Sequence, residues 1–255
     1  MKRLLTAVAL IPIILYVVLA ANSWVFLGVV IAVALLCYRE YDGIAAAYGF
    51  GAPGPLGYGF GLMLLAASGN GAWGALLGLA LTAFLFAMRE PDLSKGLPRA
   101  SLLVTGVVYI FGCWKCAVIL HEINPHWLMF ALMLNWVGDA GAYYIGRALG
   151  KHKLAPRVSP NKTWEGAIAS VIFAVLLAGA YIVYFVHVAI PLAIAVTAAA
   201  NIAGQLGDLA ESAMKRGAGV KDSGNSLPGH GGWLDRVDST LFALPVIWAF
   251  LKLAM

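Results

Sequence analysis

Long apolar runs separated by short polar segments dominate the hydropathy pattern of this chain. Two of the clearest, residues 4–20 and 24–38, come close to the ~20 residues that a helix needs to cross a bilayer. The runs lack the apolar–polar alternation of membrane strands, and backbone groups in lipid must hydrogen-bond within their own segment. The pattern therefore predicts an all-α fold, a polytopic transmembrane helix bundle.

We predict nine spans, and one of them is less regular than the rest. The predicted spans are residues 4–20, 24–38, 55–69, 72–88, 101–121, 127–145, 167–186, 188–207 and 239–253. Residues 49–71 are rich in glycine and contain Pro53 and Pro55, so a bent or re-entrant segment there would reduce the count to eight. We treat residues 1–255 as one integral membrane domain, whose second half, 126–255, follows the N-terminal spans in 1–125.

The basic residues predict the orientation, because cytoplasmic loops near span ends carry most of the Lys and Arg. With nine spans and a cytoplasmic N-terminus, 15 of the 17 Lys and Arg residues fall on one side. The exceptions are Lys115, within a span, and Lys252, which is close enough to the far interface to snorkel. No clear cleavage site follows the first apolar run, so we expect it to be a retained span.

Composition supports a membrane protein and narrows its partners. The chain is 62% hydrophobic and 11% charged, whereas a soluble domain is about a quarter charged. The net charge of +5 describes mainly the cytoplasmic face, which suits anionic lipid headgroups and phosphate-bearing substrates. Without a soluble basic domain, we expect no nucleic acid as a partner. The three cysteines lie in apolar segments, so no disulfide framework is predicted.

Two long cytoplasmic loops, residues 146–166 and 208–238, hold most of the polar residues. The second loop interleaves acids with bases: Asp208, Glu211, Asp222, Asp235 and Asp238 with Lys215, Arg216, Lys221, His230 and Arg236. Asp208 and Glu211 are three residues apart at one span end, as are Asp235 and Asp238 at the next, so each pair shares a helix face. Four converging carboxylates would suit Mg²⁺, and the glycines between them allow backbone N–H groups to approach phosphate oxygens.

The first loop offers donors to an anion beside the start of a helix. Residues 159–165 precede the seventh span and supply hydroxyl, amide and ammonium groups near a helix N-terminus, where anions are favoured. Asn161 and Lys162 are the main candidates for phosphate binding. For Thr163, Trp164 and Glu165, helix capping and an aromatic interface anchor are an equal alternative.

Asp139 is an acid inside the sixth predicted span, with Asn135 one turn earlier. An acid within a membrane helix is costly and usually functional. We consider two roles for it: framing a nucleotide or metal site near the cytoplasmic end, or a hydrogen bond between helices.

These motifs resemble the signature of the phosphatidate cytidylyltransferase (CDP-diacylglycerol synthase) family. The resemblance lies in Ser212-x-x-Lys215-Arg216, Lys221-Asp222, His230-Gly231-Gly232 and Asp235-Arg236-x-Asp238, with matching spacing. Residues 159–166, SPNKTWEG, resemble a second stretch of that family. One departure is Trp233, where the family usually has an aliphatic residue or Phe, and this puts the local loop shape in doubt.

The resemblance implies condensation of phosphatidate with CTP to give CDP-diacylglycerol and pyrophosphate, with Mg²⁺ required. For this reaction we assign Asp208, Asp235 and Asp238 to the metal, and we assign Lys215, Arg216, Lys221, Arg236 and Lys162 to the phosphates. The predicted substrate-binding residues are Ser159, Asn161 and Asp139. Asp222 is either a metal ligand or the partner of a basic residue. His230 either protonates a leaving oxygen or holds the loop. The resemblance also implies a homodimer, and the compact chain suits a bacterial cytoplasmic membrane.

Two other functions remain as alternatives. A CDP-alcohol phosphotransferase would carry a D-G-x-x-A-R pattern followed by spaced aspartates, and this chain lacks it. A cation channel or carrier would use acids near span ends to bind a permeating ion. Dependence on a nucleotide separates the channel from the enzymes, and the lipid product separates the two enzymes.

Overall fold

A computed structural model describes residues 2–51, 54–226 and 231–254 of the chain, and within these ranges most residues are helical. The α-helices are α1 (Lys2–Leu19), α2 (Ser23–Ala47), α3 (Pro55–Ala66), α4 (Gly71–Ala87), α5 (Gly96–Gly106), α6 (Cys113–Ile123), α7 (Pro125–Leu149), α8 (Trp164–Phe173), α9 (Ala180–Phe185), α10 (Ile190–Gly217) and α11 (Leu234–Ala254). A π-helical segment, Val107–Gly112, joins α5 to α6, and another, Ala174–Gly179, joins α8 to α9. The predicted all-α class is confirmed.

Four helical stretches of the described chain are long and apolar enough to cross a membrane. They are Ser23–Ala47, Leu93–Ile123, Trp164–Phe185 and Ile190–Gly217, which overlap four of the predicted spans. α3 and α4 are apolar but have only 12 and 17 residues. At 1.5 Å per residue α3 alone is too short for a bilayer core of about 30 Å, so a full span and a bent or re-entrant segment both stay predictions for residues 55–69.

The helices extend further into the second long loop than the hydropathy pattern predicts. α10 continues to Gly217 and α11 begins at Leu234, although the predicted spans end at residue 207 and begin at residue 239. Lys215 and Arg216 therefore lie in the last turn of α10, and Asp235 lies in the first turn of α11. These positions match the charges that the helix dipole favours at each end.

The first long loop forms a small β-hairpin that the sequence pattern does not predict. Strand β1 (Lys153–Ala155) pairs antiparallel with β2 (Ser159–Thr163), with Lys153 opposite Thr163 and Ala155 opposite Ser159. α8 begins directly after β2, and the Thr163 side chain caps it by accepting a hydrogen bond from the Gly166 N–H at 3.2 Å. The capping alternative for Thr163 is thus confirmed.

The described chain divides into two compact units that interleave in sequence. Unit 1 contains Met1–Ser23, Cys116–Ala213 and Val237–Met255, and unit 2 contains Trp24–Lys115 and Met214–Arg236. In unit 1, α7 packs along α8 and the π-helical segment that follows it, and α1 packs against α7. A single integral membrane domain over residues 1–255 stays a prediction.

Unit 2 has an aromatic core packed against glycines. The fully buried Tyr38 ring lies 4.8 Å from Tyr58 and 5.3 Å from Phe111, measured between ring centroids. A Cβ at Gly61 of α3 would lie 2.2 Å from the Phe111 ring, and one at Gly57 would lie 1.6 Å from the Tyr38 hydroxyl. Gly57 and Gly61 of α3 therefore have a packing cause, since a larger side chain at either position would overlap these rings.

Candidate functional site

A cavity of about 620 Å³ lies within unit 1 and is lined by α7, both strands of the hairpin, α8, α10 and α11. Its volume falls in the range of small-molecule binding sites. The polar side chains of its wall are Asn135, Asp139, Tyr143, Arg147, Asn161, Lys162, Thr163, Ser170, Asn201, Gln205, Asp208 and Ser239. The wall thus combines cations, carboxylates and amides in a protein that is otherwise mostly apolar.

The wall includes an ion pair between two of the predicted site residues. Lys162 Nζ on β2 lies 2.5 Å from Asp208 Oδ2 on α10, and their side chains are 28% and 33% exposed. Because both side chains are partly exposed, each of them can contact a ligand in the cavity while the ion pair is kept. The sequence predicts a phosphate-binding Lys162 and a metal-binding Asp208, and the structure places them side by side.

Other predicted substrate residues share this cavity, with one exception. Asp139 on α7 and Asn161 on β2 both line it, and the Asp139 residue is exposed. Ser159 lies at the far end of β2, paired with Ala155, and does not belong to the cavity wall. The hairpin is held by Glu165, whose Oε1 lies 2.6 Å from His152 Nδ1.

Largely buried amide side chains of the wall form hydrogen bonds with one another and with their neighbours, and of these amides Asn135 alone is noted in the sequence analysis. Gln205 Nε2 donates to Asn201 Oδ1 at 2.8 Å, and Asn201 Nδ2 donates to Ser170 Oγ at 3.2 Å. Asn135 Nδ2 donates to Ala131 O at 3.0 Å and to Thr240 Oγ1 at 3.2 Å. These residues occur singly in apolar runs, so only the expected cost of a polar group at membrane depth marks them in the sequence.

Two glycines allow this network to form. A Cβ at Gly138 on α7 would lie 2.5 Å from Asn201 Nδ2 and 2.6 Å from Ser170 Oγ. A Cβ at Gly204 on α10 would lie 2.5 Å from Asn135 Oδ1. Small residues thus let the helices approach closely enough for side-chain hydrogen bonds, as is common between membrane helices.

Unit 2 contains a second lysine–aspartate pair, formed by the signature residues Lys215 and Asp235. Lys215 Nζ lies 2.5 Å from Asp235 Oδ1, and the side chains are only 10% and 8% exposed. Asp235 also accepts from the backbone N–H of Ser223 at 3.0 Å and of Gly232 at 2.8 Å. Burial opposes ionisation of Asp235, but these donors outweigh it and hold the pKa of its carboxyl below the usual value.

The remaining signature residues occupy different environments. Lys221, Asp222 and Arg236 are exposed, and Arg216 donates to Val220 O at 3.3 Å. Asp238 belongs to unit 1, is 8% exposed, and its Oδ1 accepts from the Ser239 N–H at 2.7 Å. His230 lies outside the described residues, so its two predicted roles stay predictions.

The predicted metal ligands differ in how well they fit a hard cation. Residues 2–51, 54–226 and 231–254 contain no group of three or more His, Cys, Asp or Glu side chains arranged to hold a metal. Of the three ligands implied by resemblance, Asp208 is the one that lines the cavity, together with Asp139 and several amide oxygens. One or two carboxylates with water and phosphate oxygens satisfy Mg²⁺, so the donors of the cavity are chemically suitable.

The long apolar helices indicate a multi-pass helical membrane protein, and unit 1 contains a cavity of ligand size with charged side chains in its wall. The chain belongs to the cytidylyltransferase family, whose sequence model matches residues 1–254.

Similar proteins carry the name phosphatidate cytidylyltransferase. That of Bacillus subtilis is 38% identical over 159 residues, which cover 61% of this chain and 59% of the relative. That of Staphylococcus haemolyticus is 50% identical over 124 residues, covering 48% and 47%, and that of Staphylococcus aureus (strain COL) is 48% identical over the same length. The chain thus spans about half the length of the curated relatives it matches. The family match gives no support to the channel or carrier alternative.

Proposed function

We propose that this protein is a phosphatidate cytidylyltransferase, which condenses phosphatidate with CTP to give CDP-diacylglycerol and pyrophosphate in phospholipid biosynthesis. The observation that carries the proposal is the cavity of unit 1, where the partly exposed Lys162–Asp208 pair sits among amides and a second acid, Asp139. The family match and the names of the relatives support it.

The reaction needs positioning and charge neutralisation more than proton transfer. A phosphate oxygen of phosphatidate, already anionic at pH 7, attacks the α-phosphorus of CTP to form the new P–O bond. The bond from that phosphorus to the bridging oxygen breaks, and pyrophosphate leaves with the bonding electrons. Negative charge grows on the transferring group, so fixed cations are the most effective stabilisers and no strong base is required.

The basic residues have distinct parts in this scheme. Lys162 contributes a positive charge to the cavity wall, and its neighbour Asp208 holds the ammonium group in place. Lys215, Arg216, Lys221 and Arg236 neutralise the phosphates of CTP and of the lipid. Asn161 and Asp139 orient the substrate, because amide and carboxylate groups fix hydroxyl and amino positions by hydrogen bonds.

A Mg²⁺ cofactor is part of the proposal. Asp208 would hold it with Asp139, which lines the same cavity, and its charge would offset that of the phosphate oxygens. Metal binding by Asp235 and by Asp238 stays a prediction for each of them. Asp235 already accepts three donors, so it has less capacity for a further ligand than Asp208.

We further propose nine spans, a cytoplasmic N-terminus, a homodimer and residence in the bacterial cytoplasmic (inner) membrane. The bias of 15 of 17 basic residues to one side supports the orientation. Labelling of single introduced cysteines from either side of intact cells, in a background without Cys37, Cys113 and Cys116, tests it. Labelling of sites in 146–166 from the outside would overturn this topology.

The direct test is pyrophosphate release from full-length protein in detergent, with the lipid product identified by mass. Phosphatidate, Mg²⁺ and each nucleoside triphosphate are supplied in turn, to wild type, Asp208→Asn and the matched control Asp92→Asn. Asp92 is exposed and contacts Ser94 and Lys95 at the surface, so its variant should keep wild-type activity. CTP-specific CDP-diacylglycerol that falls in Asp208→Asn supports the proposal. Folded wild type that forms no product with any nucleotide refutes it.

A further inference from the structure

Glu40 on α2 is a buried acid with no part in the mechanism above. It is 6% exposed, and its carboxylate accepts four hydrogen bonds. Ser223 Oγ and the Leu234 N–H donate to Oε2 at 2.9 and 2.8 Å, and Ser226 Oγ and the Trp233 N–H donate to Oε1 at 2.8 and 3.0 Å. A carboxylate has about four acceptor sites, so Glu40 is fully engaged by these donors.

All four donors belong to the signature region of unit 2, on both sides of residues 227–230. We call residues 221–226 and 231–236 the connecting segment; it carries Lys221, Asp222, Asp235 and Arg236. Glu40, on a helix more than 180 residues earlier in the chain, thus accepts hydrogen bonds from both parts of the connecting segment. The charge of Glu40 also lies at the N-terminus of α11, where unpaired N–H groups favour an anion.

The backbone of the connecting segment is shaped to approach Glu40 closely. A Cβ at Gly232 would lie 2.2 Å from Glu40 Oε2, and one at Gly224 would lie 2.8 Å from Oε1. Any other residue at either position would have to displace the carboxylate. Two of the signature-region glycines therefore serve the contact with Glu40, in addition to any role near phosphates.

We propose that Glu40 is a positioning residue of the reaction, which fixes the connecting segment so that its charged side chains meet the substrates. The catalytic part of this inference rests on the proposed function. Glu40 itself is enclosed by its four donors and acts through the residues it holds. Misplacement of a catalytic group by about 1 Å costs up to about 100-fold in rate, so loss of this anchor should be visible in turnover.

Glu40→Gln is the sharpest variant because it keeps the shape of the side chain. In either amide orientation, the NH₂ group faces one serine hydroxyl and one backbone N–H. The hydroxyl can rotate to accept, but the N–H of Trp233 or Leu234 cannot, so one donor is left opposed to another. The matched control is Glu90→Gln, which removes an acid of unit 2 that is 10% exposed and pairs with Arg99 outside the connecting segment.

Two measurements on full-length protein separate positioning from general stability. Steady-state kinetics with CTP should show kcat and kcat/KM of Glu40→Gln lowered by about 10- to 100-fold per folded molecule, with Glu90→Gln close to wild type. Hydrogen exchange should become faster in residues 221–226 and 231–236 of Glu40→Gln alone. A change confined to the melting temperature, with wild-type kcat and wild-type exchange in these residues, overturns the inference.

The double variant Ser223→Ala and Ser226→Ala provides an independent test if Glu40→Gln fails to fold. It removes two of the four donors and leaves the carboxylate, so we expect faster exchange of the connecting segment and a smaller fall in kcat. Wild-type values of both would refute the role of Glu40. Wild type that makes no CDP-diacylglycerol refutes the proposed function instead, and the exchange measurement still decides whether Glu40 anchors the segment.

Discussion

Two lysine–aspartate pairs in this chain have the same separation and opposite environments. Both Lys162–Asp208 in unit 1 and Lys215–Asp235 in unit 2 have an N–O distance of 2.5 Å. The side chains of the first pair are 28% and 33% exposed, and those of the second are 10% and 8% exposed. The N–O distance alone therefore does not distinguish an ion pair that contacts a ligand from one that stabilises the fold.

The surroundings of the two pairs indicate that they have different roles. Asp208 faces a cavity large enough for a ligand, whereas Asp235 also accepts two backbone N–H groups of the connecting segment. An exposed pair contributes little to stability because water screens it, while breaking a buried pair leaves an uncompensated charge. We infer that the first pair serves ligands more than stability and that the second serves stability at least as much.

The largest effect on stability should come from Asp235→Asn. The change leaves Lys215 buried without its anion and reduces the acceptors available to the Ser223 and Gly232 N–H groups, so we expect a cost of about 3–5 kcal/mol. For a chain of this size that corresponds to a melting temperature lower by about 6–20 °C in detergent. Asp208→Asn, the same change in the partly exposed Lys162–Asp208 pair, should lower the free energy of unfolding by about 1 kcal/mol or less. Equal melting temperatures for the two variants would contradict the comparison.

Lys162→Met should lower activity much more than it lowers stability. Removing this cation from the cavity wall should lower kcat/KM for CTP by about 100- to 1000-fold, the usual consequence of losing one group that stabilises developing charge. Its melting temperature should stay within a few degrees of wild type. Lys153→Met, at an exposed position on the neighbouring strand, is the control and should keep its activity. A stable, fully active Lys162→Met would contradict a role of this cation in the reaction.

Much of the architecture is predictable from the sequence because helices in lipid need long apolar runs. Each predicted span overlaps a helix or a continuous helical stretch, and Asn161, Lys162, Asp139 and Asp208 do line one cavity. The helix ends are less predictable, since α10 continues through Ala213, Met214 and Lys215. These residues have high helix propensity, whereas the charges at Asp208, Glu211 and Lys215 end the apolar run from which the span was predicted.

The parts that the sequence does not reveal depend on contacts between distant residues. Glu40 stands in an apolar helix, and nothing near it in sequence indicates that its donors lie beyond residue 220. The amides Asn201 and Gln205 likewise become a network only when α8 and α10 are packed together. The β-hairpin at 153–163 escapes prediction because its strands are too short to show periodicity.

Gly138→Ala should damage the unit 1 cavity without touching either ion pair. The added methyl group would lie 2.5 Å from Asn201 Nδ2 and 2.6 Å from Ser170 Oγ, and overpacking of this kind costs about 1–3 kcal/mol. Gly28→Ala on α2 is the matched control, because nothing lies within 4 Å of its Cβ position and alanine favours helix. We therefore expect a lower melting temperature for the first variant and an equal or higher one for the second. A shift of the same sign in both would argue against close packing at Gly138.

Thr163→Ala should have the smallest effect on stability and activity, and it tests the placement of Lys162 in the Lys162–Asp208 pair. Thr163 follows Lys162 directly and caps α8 through its hydroxyl, so losing the cap should cost about 1 kcal/mol. Because the cap fixes the junction of β2 and α8, Lys162 should become less well placed and kcat/KM should fall slightly. Thr163→Ser keeps the hydroxyl and should retain both stability and activity. If serine is as damaging as alanine, the methyl group of Thr163, packed against Gly150, matters more than the cap.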